Sequence, residues 1–325
     1  MYMTKAFLAL GSLLLTLGAA ELAVRALVPV RMVGSSFTVY DPVYGKSLKK
    51  DFATTRTTPE FTIDFSTNSR GYRGPEVDSR SPILFLGDSF TMGYGVSDGE
   101  EFPALVRAQL AAMGLEVPVV NTGMGNSGNG RWLKYLREAR EQMAPVALIL
   151  QLTANDFTDN RKERLFELSS EGELVELPVP PIKPLRKVQN FIDSIPGVAD
   201  LHLVALVYQS YLAYQSRPGP RPSSVDRRAF LAEVVDPLTY RILEETIAIG
   251  REERWPMIAI VVGVEGDRLT EIQRRLSANE IPLIVTPAKS ERPELYYEVD
   301  GHWNPAGHEL VAARVMAELD PLLPR

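Results

Sequence analysis

Ile83-Leu84-Phe85-Leu86-Gly87-Asp88-Ser89-Phe90 opens with four large apolar residues and stops at Gly-Asp-Ser. A short apolar run without polar alternation, closed by a turn signal, reads as a strand buried on both faces, as in parallel sheets covered by helices. Runs of the same kind return at Val117–Asn121, Val146–Thr153, Met257–Val264 and Ile281–Thr286. Amphipathic helical patterns separate them. Phe102-Pro103 starts one with Pro in its first turn and Gly114 ends it; Trp132–Met143, Arg228–Ile249 and Leu269–Ala278 give others; Asn304-Pro305 caps the last. Strands and crossover helices in this order predict a three-layer α/β/α sandwich around a doubly wound, five-stranded parallel sheet.

The chain has 325 residues, 45% of them hydrophobic, a formal net charge of −6 and no Cys. That length admits one large domain with insertions and ample material for a core. The mildly acidic balance and scattered Lys and Arg argue against a nucleic-acid face. Without Cys there is no disulfide framework and no thiolate metal site. No metal or organic cofactor is implied by any motif.

Residues 1–29 read as an export element. Ala6–Ala20 is apolar after Lys5, and Gly18-Ala19-Ala20 offers small residues for cleavage. The apolar pattern runs on through Leu27, past those small residues, and reaches the roughly 20 residues that span a bilayer, which favours an uncleaved anchor over a removed signal peptide. Either reading sends the remainder of the chain outside the cytoplasm. Residues 30–80 are turn-rich, with one alternating segment, Phe61–Thr67, that reads as a short half-buried strand. They are expected to pack on the edge of the main domain, 81–325, because they lack the apolar residues for a core of their own. An insertion at about 159–226, punctuated by Pro178–Pro184 and Arg217–Pro222, breaks the strand–helix rhythm and is expected to form a lid or partner surface.

Ser89 follows the first strand, the Gly-rich turn Asn121–Gly130 the second, Asn155-Asp156 the third, and Asp300 and His302 the fifth. An open α/β sheet places its ligands at these carboxyl ends. A serine attacking an ester needs a base, a group orienting that base, and donors aimed at the developing oxyanion. His302 can be the base and Asp300 its orienter; the Ser89 amide, an amide of the Gly-rich turn at Gly125 or Asn126, and the Asn155 side chain can be the donors. Asp88 and Asp156 read as local hydrogen-bonding groups, His308 as a surface or packing residue, and His202 as a bystander. Trp303 suits either a pocket wall or the core.

Through these residues the chain resembles the SGNH (GDSL-type) hydrolase superfamily of esterases and lipases, from Ile83 to the carboxyl terminus with the insertion excluded. The resemblance implies the flavodoxin-like fold of that superfamily. It also implies Ser89 as nucleophile, Asp300 and His302 as its partners, and an oxyanion hole of Ser89, the turn at Gly125 and Asn126, and Asn155. Three departures stand out: Thr153 replaces the usual Gly of the third block, Asn126 stands where the second block usually has Gly, and the acid precedes His302 by two residues. Asp300-Gly301-His302-Trp303 resembles the form used by relatives that move acetyl groups on exported polysaccharides. The expected activity is hydrolysis of O-acyl esters, O-acetylated carbohydrates among them, with O-acetyl transfer to a polysaccharide as alternative. Two further alternatives are an inactive scaffold of the envelope and a dinucleotide site at Gly123-x-Gly125-x-x-Gly128, a fingerprint that leaves Ser89 and His302 unexplained.

Overall fold

The computed structural model describes residues 2–28, 37–77, 81–182, 201–215 and 237–322, with 187, 190–192, 194, 195, 197 and 198 between them. Helix α1 is Tyr2–Leu27. Two antiparallel hairpins follow, β1 (Thr38–Asp41) with β2 (Gly45–Leu48), and β3 (Ala53–Thr57) with β4 (Thr62–Ser66). The apolar run at 83 becomes β5 (Ile83–Leu86), followed by the short helix α2 (Ser89–Met92) and by α3 (Phe102–Ala112). Next come β6 (Val119–Asn121), α4 (Gly130–Gln142), β7 (Ala147–Thr153) and α5 (Asp156–Glu163). A hairpin of β8 (Phe166–Leu168) and β9 (Leu174–Glu176) precedes α6 (His202–Gln215) and α7 (Pro237–Glu252). The chain closes with β10 (Met257–Val262), α8 (Gly266–Ser277), β11 (Leu283–Val285) and α9 (Pro305–Leu319).

The five-stranded sheet has the order β11-β10-β7-β5-β6 with every pair parallel. Chain direction across the sheet therefore reverses between β5 and β7, the crevice in which doubly wound sheets bind their ligands. Alternate residues of each strand serve opposite layers. Leu84, Leu86, Leu148, Leu150 and Val261 pack under α4, α7 and α8, whereas Ile83, Phe85, Ile149, Ile258 and Ile260 pack under α3 and α9. Each such side chain, fully buried, contributes roughly 1.5–3 kcal/mol of transfer free energy.

The strands are shorter than their apolar runs, which continue into the loops at Val117, Val264 and Ile281 because those residues are packed without being paired. Helix α7 begins at Pro237 among the described residues; the stretch 228–236 of the expected helix, the Pro-rich stretch 217–222 and residues 183–184 lie outside them. Helix α5 runs on through Glu163, into the segment read from sequence as insertion.

The hairpins of residues 37–77 meet the sheet in two ways. Arg73 bridges to Asn121 on the edge strand β6. Phe37, Leu48 and Phe65 form a cluster with Met92, at the end of α2 beyond β5, and Met124, in the turn beyond β6, so the hairpins lie over carboxyl ends as well as along the edge. Buried Arg73 joins the layers by donating to the carbonyls of Met92, Gly93 and Val96.

Phe7–Leu27 is apolar and long enough to cross a membrane. Its leucines are exposed, Leu15 by 78%. Glu21 pairs with Arg25 at 2.6 Å and accepts the amides of His202 and Leu203 at 3.0 and 2.8 Å, capping α6 from α1.

Candidate active site

The turn after β5 is built from within. The Asp88 carboxylate caps α2 by accepting the Phe90 amide at 3.0 Å, and Gly93 ends that helix in the left-handed conformation with φ 78°. Gln151, a buried polar residue in the middle of β7, accepts from the Asp88 amide at 3.2 Å and from the Thr91 hydroxyl at 2.8 Å. Ser89 is thereby fixed at the switch point, half-buried, against the adjacent strand. Burial pushes the Asp88 carboxyl up, and burial together with the Asp88 charge pushes Asp156 well up. Asp156 accepts the Thr153 amide at 2.6 Å, so both carboxyls serve local hydrogen bonding.

His302 arrives on the loop before α9. Asn304 caps that helix by accepting the Gly307 amide, and the Tyr297 amide donates to the His302 carbonyl at 2.9 Å. The imidazole stands between two rings, Phe90 at 4.8 Å and Tyr94 at 5.1 Å between centroids. Its Nε2 lies 2.7 Å from Ser89 Oγ and its Nδ1 lies 2.5 Å from Asp300 Oδ1. Burial would raise the Asp300 carboxyl, but the hydrogen bond and charge of His302 outweigh it and hold Asp300 below the ordinary carboxylate range. The two-residue spacing is accommodated by Gly301, whose φ of 84° turns the chain back so that both side chains face the same way. Trp303 is 1% exposed and packs on Phe90 and Phe102, so it belongs to the core beneath the site.

On the other side of Ser89 stands the Gly-rich turn. A Cβ on Gly125 would lie 3.8 Å from the Ser89 Cβ, which places this turn beside Ser89. Among the described residues neither the Gly125 nor the Asn126 amide donates to another group, and Asn126 is exposed with φ 53°. Asn155 sits at the end of β7 as the first residue before α5; its Nδ2 donates to Asp159 at 2.9 Å, leaving the second amide proton for another acceptor. The structure brings Ser89, His302 and Asp300 into one hydrogen-bonded line with Gly125 beside it, and anchors Asn155 at the neighbouring strand end.

The glycine fingerprint has another cause. A Cβ on Gly123 would fall 2.1 Å from the Met92 backbone nitrogen, and one on Gly128 would fall 2.2 Å from Asn160 Oδ1. These glycines let α2 and α5 approach the turn, and the space a phosphate would need is filled by protein; the dinucleotide reading is set aside on that ground. His308 lies fully buried on the inner face of α9, where Nδ1 accepts the Phe102 amide at 3.2 Å. It is a packing residue and not a surface one. Among the described residues no group of three or more His, Asp or Glu is placed to hold a metal ion.

Four residues near the site carried no signal in the sequence. Gln151 hides in an apolar strand, and Asp159 in a charged helix start. Lys46 on β2 donates to the carbonyls of Gly125 and Asn126, and Glu60 in the β3–β4 turn accepts the amides of Val299 and Asp300. Both reach the site from polar positions of the two hairpins, Lys46 on β2 and Glu60 in the turn before β4.

Residues 83–195 match the GDSL-like lipase/acylhydrolase family. The arylesterase of Vibrio mimicus is 26% identical over 137 residues, covering 38% of this chain and 68% of the arylesterase. Among solved structures, the psychrotrophic esterase EstA from Pseudoalteromonas sp., inhibited by monoethylphosphonate, aligns over 74% of this chain and 97% of its own at 13% identity and a TM-score of 0.42. An acetyl xylan esterase, AlAXEase, aligns over 73% and 99% at 11% identity and a TM-score of 0.42. The family match spans β5, the Ser89 turn, the Gly-rich turn and Asn155, the segments that build the switch-point crevice, so this part of the chain carries a GDSL-like lipase/acylhydrolase domain, and the chain is a carboxylic ester hydrolase.

Proposed function

We propose that the protein cleaves O-acyl esters through Ser89, His302 and Asp300, and that α1 holds it in a membrane with the catalytic domain exported. The observation that carries the reading is the continuous line from Asp300 Oδ1 to His302 Nδ1 at 2.5 Å and from Nε2 to Ser89 Oγ at 2.7 Å. Asp300 keeps the proton on Nδ1, so the Nε2 lone pair faces the hydroxyl. As Ser89 Oγ bonds to the acyl carbon, its proton passes to Nε2 and the carbonyl oxygen becomes an oxyanion. Amides of Ser89 and of the Gly125–Asn126 turn, with Asn155 Nδ2, are the donors that stabilise it. The imidazolium then gives its proton to the departing alkoxide as the ester C–O bond breaks. Water then attacks the acyl-Ser89 carbon as its proton passes to the same Nε2; the C–Oγ bond breaks, Ser89 Oγ takes that proton back, and the acid is released.

The anchor reading rests on the apolar stretch Phe7–Leu27 and its exposed leucines. The substrate class, small O-acyl esters and O-acetylated carbohydrates, rests on the Asp-x-His-Trp order of the last block. Intact-mass spectrometry after incubation with a fluorophosphonate tests the nucleophile: one adduct on Ser89, absent in Ser89→Ala, is expected, and an adduct that persists in Ser89→Ala would overturn the assignment.

A further inference from the structure

Lys46 lies on β2, outside the sheet that forms the catalytic core, yet its ammonium ends on the Gly-rich turn. Nζ donates to the Gly125 carbonyl at 2.8 Å and to the next carbonyl along, that of Asn126. In a trans peptide the carbonyl and amide of one unit point in opposite directions. A Gly125 carbonyl held toward Lys46 therefore aims the Asn126 N–H away from the hairpin. That N–H makes no hydrogen bond among the described residues, and a Cβ built on the neighbouring Gly125 would lie 3.8 Å from the Ser89 Cβ. Asn126 also has φ 53°, a left-handed conformation that favours glycine and that Asn adopts more readily than most other residues.

The clamp is itself held. Arg131 on α4 donates to the Lys46 carbonyl, and Glu163 on α5 accepts from Arg131 at 2.5 Å and from the Gly128 amide at 3.1 Å, with Lys46 Nζ 3.7 Å away. Glu163 offsets the charge of Lys46 and fixes the far end of the same turn. A peptide unit whose carbonyl accepts from a cation is also a better donor at its own N–H, because hydrogen bonds in series polarise one another.

We propose that Lys46 is a positioning residue for the oxyanion site: it imposes the conformation of the Gly125–Asn126 peptide and strengthens its N–H as a donor, making the first hairpin a working part of the active site. This rests on the reading of Ser89 as nucleophile.

The test is steady-state hydrolysis of p-nitrophenyl acetate by the full chain, alongside inhibition by phenylboronic acid, which forms a tetrahedral anionic adduct on an active-site serine. Lys46→Met should lower kcat roughly 10- to 100-fold, less than the loss of an oxyanion donor itself, with KM changed by less than about threefold. The inhibition constant for phenylboronic acid should rise by the same factor as kcat falls. Because the chain has no Cys, Lys46→Cys can be alkylated at that one position with 2-bromoethylamine, the thiolate displacing bromide to form a lysine isostere. Recovery of most of the lost kcat is expected, and it separates loss of the ammonium from loss of fold should Lys46→Met be unstable. A wild-type kcat in Lys46→Met or Lys46→Cys, or no recovery on aminoethylation, overturns the proposal. Wild-type protein with no Ser89-dependent turnover would instead overturn the reading on which it rests.

Discussion

The Glu60 carboxylate accepts the backbone amides of Val299 and Asp300 at 2.8 and 2.6 Å, so the loop carrying Asp300 is held by the turn between β3 and β4. Phe61, the next residue, packs on Tyr297 and Tyr94, and Tyr94 lies against the His302 ring. Both contacts are hydrogen bonds to a carboxylate, and hydrogen bonds to a charged group are the stronger kind. Glu60→Ala should lower kcat roughly tenfold, with Glu60→Gln retaining part of the activity through its remaining carbonyl acceptor. Kinetics on both variants check this, and a wild-type kcat in Glu60→Ala would show that the loop keeps its shape unaided.

Asp300→Asn tests the orienter itself. An amide oxygen can still accept a hydrogen bond, but an Asn side chain also offers N–H, which favours the wrong imidazole tautomer; a fall of about 10⁴ in kcat is expected. His302 holds the Asp300 carboxyl low, so Asp300 stays ionised to more acid pH than a free aspartate. Loss of activity on acidification through the ordinary carboxylate range should therefore not come from protonation of Asp300. A pH–rate profile whose acid limb is unaltered in Asp300→Asn would contradict the coupling of the two residues.

Asn155 and Asp159 form a donor and its anchor, 2.9 Å apart, with Lys162 pairing the same Asp159 at 2.6 Å. Asn155→Ala should cost about 10²–10³ in kcat with KM nearly constant, as loss of one oxyanion donor does. Asp159→Asn should cost less, because the Asn155 amide remains and only its orientation loosens. Equal losses in the two variants would mean that α5 is disturbed as a whole.

The sheet was legible because β5, β7 and β10 are buried on both faces and so carry apolar runs, broken in β7 only by Gln151 and the closing Thr153. Ser89, Asn155 and His302 were legible because each follows such a run or opens a capped helix. What escaped was the contribution of residues 37–77. Lys46 and Glu60 act on backbone carbonyls and amides far along the chain, and such bonds leave no pattern at either end. The expectation that these residues would pack along the sheet edge holds for Arg73 and Asn121, but the Phe37, Leu48 and Phe65 cluster lies over Met92 and Met124 at the mouth of the site. His308, read from sequence as a surface or packing residue, is the latter, because Phe102 and Trp303 enclose it.

That enclosure sets an acid limit on stability. Burial, aided by the charges of Arg73 and His302, lowers His308 to about 3, against 6.5 when free. Between those values the unfolded chain binds a proton that the folded chain refuses, so folding stability contributed by His308 falls as pH falls, by roughly 1.4 kcal/mol per pH unit. Asp88 and Asp156, both raised by burial, act in the opposite sense: their contribution is complete below the ordinary carboxylate range and is lost as pH rises through their folded values. The slope of the wild-type protein alone therefore mixes the two. His308→Gln isolates the first, since its carbonyl can still accept the Phe102 amide while nothing at position 308 titrates. Urea unfolding from about pH 4 to 8 should show the stability difference, wild type minus His308→Gln, rising with pH up to about 6.5 and level above it. A difference independent of pH would mean that His308 takes up its proton as readily in the folded protein as in the unfolded one.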